Sequence, residues 1–123
     1  MQYICLIAAE NMMEHFTAEE AARQYDEYQE ITEQLRRSAQ LVSCNRLKPP
    51  EDATTVRVRG GKAQVIDGPY AETKEQLGGY YVIEAKDLNE AIQIAARFPG
   101  ARYGCVEVRP IAVDDQTRTA LGF

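Results

Sequence analysis

The sequence has few of the residue types that hold metal ions or form disulfides. Cys5, Cys44 and Cys105 are an odd number of cysteines, lie far apart and include no CxxC pair. The single histidine, His15, has no second histidine or suitably spaced cysteine beside it in the sequence. Because zinc sites and disulfide frameworks need such groupings, we expect neither. Each cysteine falls in a strand-like segment, which predicts buried and unreactive thiols.

Basic clusters, long apolar segments and phosphate-binding loops are also lacking. The formal net charge is −5, and the Arg36–Arg37 pair is too short to attract nucleic acid or an anionic membrane. No basic export region precedes Ile4, and no apolar segment is long enough to span a bilayer. Gly60–Gly61 lies between two strand patterns and Gly78–Gly79 has no helix after it, so we expect no nucleotide cofactor. These absences predict a cytoplasmic protein whose main partner is neither nucleic acid nor membrane.

A single domain accounts for the 123 residues, of which 45% are hydrophobic and 27% charged. We place this domain at residues 1–112 and a C-terminal tail at residues 113–123. Capping boxes at Thr17–Glu20 and Asp87–Glu90 predict the starts of two helices. The periodicity of the second helix predicts that one set of apolar side chains faces inward, namely Leu88, Ala91, Ile92, Ala95 and Ala96. Strand patterns occur at Ile4–Ala9, Leu41–Cys44, Thr54–Arg59, Lys62–Ile66, Tyr80–Ala85 and Cys105–Arg109.

The order of these elements is strand, helix, strand, inserted β-hairpin, strand, helix, strand. It predicts an α+β domain of the ferredoxin-like, split βαβ type. In the hairpin, the two-residue glycine turn sets the cross-strand pairs Val56–Val65, Val58–Ala63 and Arg57–Gln64. Two helices cover only one face of the sheet, and the other face carries apolar residues that need a cover. The simplest cover is a second copy of the chain, so we expect a homodimer.

The segment that joins the hairpin to the next strand is the richest in ionisable side chains. Gly68 and Pro69 indicate a tight turn at its start. Glu72, Lys74 and Glu75 then fall within four positions, more charge than a simple connection needs. The whole segment runs Asp67-Gly68-Pro69-Tyr70-Ala71-Glu72-Thr73-Lys74-Glu75-Gln76-Leu77-Gly78-Gly79-Tyr80-Tyr81.

This run resembles the signature of the DGPF branch of the YCII-related domain family, with Tyr70 where the motif has phenylalanine. The resemblance extends over most of the chain, to Glu107-Val108-Arg109-Pro110. It implies a small bacterial, cytoplasmic protein with a ferredoxin-like fold that pairs into a dimeric α/β barrel. It also implies either an enzyme, proposed for the family from a shared histidine and aspartate, or an association with sigma factors.

The chain departs from the family pattern at the histidine. The family histidine lies on the first helix, whereas His15 precedes that helix, and Tyr28 occupies the corresponding helical position. A mechanism that needs an imidazole at this place therefore does not transfer.

Two interpretations stay open for the carboxylates and the lysine of the motif. Asp67 is either a pocket carboxylate, acting as a base or ligand anchor, or a turn residue that bonds its own backbone. Glu72, Lys74 and Glu75 either line a polar pocket or belong to a solvated loop whose ion pairs are worth about 0 to 1 kcal/mol each. We name these four residues as candidate catalytic groups.

Candidate ligand-binding residues lie outside that group. Glu107 and Arg109 point the same way from one strand, where they form an ion pair facing a ligand or simply fix the dimer. Tyr28 and Tyr70 are further ligand-binding candidates. Tyr28 and Tyr81 offer phenolic hydroxyls, although a tyrosine on an apolar stripe is usually core, which is the better interpretation for Tyr81.

Two functions from different classes follow. The first is a homodimeric enzyme with a polar small-molecule pocket, acting by acid–base chemistry without metal on a substrate that the sequence does not name. The second is a non-catalytic regulatory module linked to sigma-factor-dependent transcription. A purely structural dimer stays open as a third interpretation.

Overall fold

A computed structural model describes residues 1–10 and 16–112 of the chain. The main strands are β1 (Gln2–Ala9), β2 (Leu41–Arg46), β5 (Gln76–Glu84) and β6 (Cys105–Pro110), and a hairpin consists of β3 (Thr54–Arg59) and β4 (Lys62–Asp67). The helices are α1 (Ala18–Arg37), α2 (Leu88–Ala95) and the short α3 (Gly100–Tyr103), with a 3₁₀ turn at Pro50–Asp52. His15 and the predicted tail at residues 113–123 lie outside the described residues.

The four main strands form one antiparallel sheet in the order β2-β5-β1-β6. Strand β1 is central, as its continuous apolar run predicts, and Cys5 pairs with Tyr81 on one side and with Val108 on the other. Each βαβ unit has a strand of the other unit inserted between its two strands, which is the split βαβ arrangement. The predicted α+β class is confirmed, whereas pairing of two copies stays a prediction.

The helices begin where the capping boxes predict. The backbone N–H of Glu20 donates to Oγ1 of Thr17 at 3.1 Å, and the N–H of Glu90 donates to Oδ1 of Asp87 at 2.9 Å. These side chains satisfy backbone donors that the first turn of a helix leaves without a partner. Ile31 and Leu35 of α1 are buried against the sheet.

The inward face of α2 differs from the predicted one. Leu88 and Ile92 are each half exposed, whereas Ala91, Ile94 and Ala95 are buried. Ala91, Ile94, Ala95 and Phe98 recur at i, i+3, i+4 and i+7 and form the stripe towards the sheet, so Leu88 and Ile92 lie on its flank. Ala96, the C-cap residue, is exposed as well, so the predicted inward position is wrong for Leu88, Ile92 and Ala96.

The hydrophobic core lies between the sheet and the helices. Phe98, just after α2, is fully buried and stacks on Tyr81 with ring centroids 4.3 Å apart. Tyr28 also stacks on the ring of Phe98, with ring centroids 6.3 Å apart. All three rings are on the helix side of the sheet, together with Cys5 and Ile83.

No described helix covers the opposite sheet face, which we call the open face. Ile4 and Leu6 of β1 and Val82 of β5 point to this face because they alternate with the buried residues of their strands. Each of the three is half-buried rather than fully exposed. The open face is therefore apolar in its middle.

The hairpin is a separate two-stranded sheet beside the main one. Its register is the predicted one, with Val56 opposite Val65, Val58 opposite Ala63 and Arg57 opposite Gln64. Gly60 and Gly61 both have positive φ, 58° and 75°, as a type I′ turn requires. Of the hairpin residues only Thr55 is partly buried, and the rest are exposed.

Candidate functional site

A groove of about 730 Å³ lies against the open face. Leu6 and Ala8 of β1 contribute apolar atoms to it, and Leu77 does so from β5. The loop after β2 and the start of β3 form one wall, and the loop before β5 forms another. Its charged lining residues are Lys48, Asp52, Glu75 and Glu107. The groove is wide and open to solvent along its mouth.

A second depression of about 680 Å³ adjoins the groove. The two share Ala8, Thr73, Glu75 and Cys105 as lining residues, so they meet where the loop before β5 crosses the end of β1. Lys74 lines only the second depression. Glu75 is thus the one member of the predicted catalytic group that borders both.

The side chain of Gln76 holds the loop that carries Glu75. Its amide nitrogen donates to the carbonyl oxygens of Ala71 and Thr73, at 3.0 and 2.7 Å. The Thr73 hydroxyl donates in turn to the carbonyl oxygen of Glu75 at 2.6 Å. These bonds fold residues 71–76 into a closed turn, since local side-chain bonds to the backbone fix loop conformation. Gln76 is not among the site residues predicted from the sequence, and only its place beside a charged run could have indicated it.

A second set of bonds fixes where this loop starts. The N–H of Gly68 donates to the carbonyl oxygen of Ala53 at 2.7 Å, and the Thr55 hydroxyl donates to the carbonyl oxygen of Gly68 at 2.7 Å. Gly68 has φ 105°, which side chains other than hydrogen rarely allow. The loop is therefore joined to the base of the hairpin at one end and to β5 at the other.

The other predicted catalytic residues lie around the groove rather than in it. Asp67 ends β4 and, like Glu72, is exposed and borders neither depression. Within residues 1–10 and 16–112, neither carboxylate makes a side-chain hydrogen bond or an ion pair. Lys74 is exposed and lies 3.5 Å from a carboxylate oxygen of Glu10. Such an exposed pair contributes little stability because water and salt screen it.

Three of the predicted ligand-binding residues are on the open-face side. Tyr70 lines the groove and is strongly exposed, so its ring stands at the mouth. Glu107 lines the groove and forms an ion pair with Arg109, as expected for two residues that share a strand face. The ion pair thus lies beside the apolar lining of the groove.

Tyr28 is on the other side of the sheet from the groove. Its hydroxyl accepts a hydrogen bond from the N–H of Gly100 at 2.9 Å, so the phenol caps the start of α3. Burial raises the pKa of Tyr28 above its ordinary value. Burial also raises the pKa of Tyr81, whose hydroxyl lies 2.6 Å from that of Thr32. Both tyrosines occupy core positions with satisfied hydroxyls.

The cysteines differ from one another in burial. Cys5 is fully buried, and burial raises the pKa of its thiol to about 11, in agreement with the predicted inert thiol. Cys44 is partly buried. Cys105 is exposed and borders both depressions, so the prediction of a buried thiol is wrong there. The reason is that β6 is an edge strand and Cys105 points to the open face.

Residues 1–10 and 16–112 contain no group of three or more His, Cys, Asp or Glu side chains placed to bind a metal ion. The same residues include no helix long and apolar enough to cross a membrane.

A split βαβ sheet with a loop-walled groove on its open face defines a class of small α+β proteins. Within this class, the chain belongs to the YCII-related domain family, whose model matches residues 1–113. The resemblance found in the sequence is confirmed at the level of the family. An uncharacterised protein of Rhizobium meliloti (strain 1021) is 35% identical over 106 residues, which are 85% of this chain and 86% of that protein.

A solved structure of an enzyme is similar in fold. It is the 5-chloro-2-hydroxyhydroquinone dehydrochlorinase of Burkholderia phenoliruptrix AC1100, in complex with 2,5-dihydroxybenzoquinone. The TM-score is 0.54, the sequence identity is 12%, and the match covers 94% of this chain and 98% of that one. At this identity the likeness shows the fold alone.

Proposed function

We propose that this chain is an enzyme that moves a proton on a small cyclic molecule bearing hydroxyl or carbonyl groups, bound in the groove of the open face. The observation that carries the proposal is the placement of two carboxylates, Glu75 and Glu107, beside the apolar side chains of Leu6 and Leu77. An apolar ring packs on such side chains, while carboxylates accept its hydroxyl protons.

The two carboxylates have different roles in this proposal. Glu107 is paired with Arg109, which directs its carboxylate, so it orients a hydroxyl group. Glu75 makes no side-chain hydrogen bond or ion pair with any residue that the structure describes, and its loop is fixed by Gln76. Its carboxylate is therefore available to act as the base. Lys74, at the adjoining depression, attracts an anionic substrate.

A second copy of the chain completes the proposed enzyme. It covers the half-buried apolar residues of the open face and excludes water from the groove, which strengthens the interactions of its charged groups. We further propose that the chemistry uses protein side chains without a metal, that the protein works in the cytoplasm and that it belongs to the DGPF branch of its family.

The structural neighbour provides the first probe rather than the substrate. Its name refers to a chlorinated hydroxyhydroquinone, and its structure contains 2,5-dihydroxybenzoquinone. We infer that hydroxylated six-membered rings are the class to test first, since their ring hydrogens lie next to carbonyl or enol carbons and are exchangeable.

The test is deuterium exchange at the ring carbon of 2,5-dihydroxybenzoquinone in D₂O, followed by proton NMR, with a thermal-shift titration of the same compound. In exchange, a ring carbon gains a deuteron from solvent and loses its proton to the base. Glu75→Gln should slow the exchange by about 10²-fold or more. Bound ligand at about 100 times its dissociation constant should stabilise wild type and variant by about 2.7 kcal/mol.

Glu51→Gln is the matched control, because Glu51 is exposed and does not line the groove although Pro50 and Asp52 do. It should leave exchange at the wild-type rate. If Glu72→Gln or Asp67→Asn removes exchange and Glu75→Gln does not, the base is one of those predicted carboxylates instead. If a wide panel of ring compounds gives neither shift nor exchange, the regulatory role linked to sigma factors becomes the hypothesis to test.

A further inference from the structure

The hairpin has an apolar face that no residue within 1–10 or 16–112 covers. Val56, Val58 and Val65 share one face of the two strands and are 61%, 60% and 67% exposed. Arg57, Arg59 and Lys62 are on the reverse face with Gln64. An isolated two-stranded hairpin is at best marginally stable in water, because it has no third strand or helix on which to bury its apolar residues. This hairpin therefore requires a surface on which its valines pack.

The apolar face borders the groove at the base of the hairpin. Val56 lines the groove on the open face, together with Thr54 and Thr55 at the base of the hairpin. Val58 is the next residue along on the same face, and Val65 is opposite Val56. The apolar face is thus continuous with the groove at its base and extends beyond it towards the Gly60–Gly61 turn.

The charges of the hairpin identify an acidic partner. Residues 54–67 carry a net charge of +2, because they contain Arg57, Arg59 and Lys62 but only one acidic residue, Asp67. The whole chain has a net charge of −5, so the remainder carries −7. The groove itself is acidic, with Asp52, Glu75 and Glu107 against Lys48 among its described lining residues. Opposite charges on two parts of one chain favour contact between copies.

We propose that the apolar face of the hairpin docks on a second copy of this chain and covers the mouth of that copy's groove. The proposal rests on the homodimer of the proposed function. In a two-fold dimer with the open faces together, each hairpin extends from the rim of one groove towards the other copy. The valines supply the apolar contact, whereas the cations on the reverse face add only a long-range attraction to the acidic groove. Each binding site is then completed by its partner.

The test compares Val65→Asp with Gln64→Asp. These residues are adjacent on β4, are both exposed and point to opposite faces, so the two variants add the same charge with the same strand propensity. Because a two-fold contact occurs twice, a tenfold loss per contact predicts that Val65→Asp raises the dimer dissociation constant about 100-fold relative to Gln64→Asp. Analytical ultracentrifugation measures this constant, and circular dichroism checks that both variants fold.

Photo-crosslinking identifies the surface that the hairpin contacts. Benzoylphenylalanine is placed at position 58 in ¹⁴N protein, which is mixed with ¹⁵N protein before irradiation. The expected product joins a ¹⁴N hairpin peptide to a ¹⁵N peptide from residues 47–53 or 69–77. Crosslinks confined to ¹⁴N peptides would show that the hairpin folds on its own chain, and crosslinks to ¹⁵N peptides of the helix side would place it elsewhere. Either result overturns the proposal.

The ultracentrifugation result separates this proposal from the proposed function. A wild-type dimer whose dissociation constant is the same for Val65→Asp and Gln64→Asp overturns the hairpin contact and leaves the dimer in place. A wild-type chain of 13.8 kDa at micromolar concentration overturns both the dimer and the hairpin contact. The exchange assay on Glu75→Gln tests the groove chemistry independently of either outcome.

Discussion

Replacing Tyr28 with phenylalanine removes one hydroxyl from the core and leaves the ring in place. That hydroxyl accepts from the N–H of Gly100, which begins α3 and has no other hydrogen-bond partner among the described residues. Gly100 is buried, so water does not readily replace the phenol. An unsatisfied buried N–H costs about 1–3 kcal/mol. We expect Tyr28→Phe to lower the free energy of unfolding by this amount.

The matched control is Tyr25→Phe, three residues earlier on α1. Tyr25 is 57% exposed, and its hydroxyl accepts from the Gln29 side chain at 2.7 Å on the helix surface. Loss of that bond should change stability by less than about 0.5 kcal/mol, because water takes its place. The two substitutions delete the same atom from the same helix and differ only in burial.

Urea denaturation followed by circular dichroism gives both free energies of unfolding, and thermal scans give the midpoints. For a chain of this size, the expected loss corresponds to a fall of roughly 4 °C per kcal/mol. If Tyr28→Phe is as stable as Tyr25→Phe, the phenol does not cap α3. If it is also impaired in ligand binding, the ligand-binding role predicted for Tyr28 from the sequence is supported instead.

Two further predictions concern stability. Because burial raises the pKa of Cys5 from 9.0 to about 11, the folded state keeps its proton longer than the unfolded state, and stability falls as pH rises through that window. The free energy of unfolding should fall by about 2–3 kcal/mol between pH 9 and 11. Cys5→Ala should be less stable than wild type at pH 8, but its free energy of unfolding should not show this fall. Urea titrations at each pH measure both proteins, and an equal fall in the two would contradict the assignment to Cys5. Gly104→Ala should lose about 3 kcal/mol, since its Cβ would meet the Ala8 carbonyl oxygen and lie 2.7 Å from Cα of Ala9. Gly78→Ala, whose Cβ would meet nothing nearer than 3.9 Å, should lose much less, and equal losses in thermal denaturation would refute the argument.

Local chemistry made several elements predictable from the sequence. A capping side chain three residues before its N–H partner defines a helix start, and Thr17 and Asp87 both perform this role. Likewise, a Gly60–Gly61 turn leaves one register that places the valines together, and the structure has that register. These patterns act over a few residues, so they need no knowledge of the fold.

Features set by tertiary contacts were not predictable in the same way. The inward face of α2 depends on which stripe of the helix packs on the sheet, and Ala91 lies on that stripe whereas Ile92 does not. The exposure of Cys105 depends on β6 being an edge strand with its odd-numbered residues on the open face. In the site, the charged run indicated the loop that lines the groove, and the bonds from Gln76 fix the conformation in which Glu75 borders it.

The sheet order has a consequence for synthesis of the chain. Strand β1 is the first described strand to leave the ribosome, yet its two neighbours are β5 and β6. At roughly 5–20 residues per second, β5 is complete about 4 to 15 seconds after β1. During that interval the apolar run Ile4–Ala9 has no native pairing partner, so it is exposed to chaperones and to other nascent chains. Folding of this small domain is therefore expected to follow translation rather than accompany it.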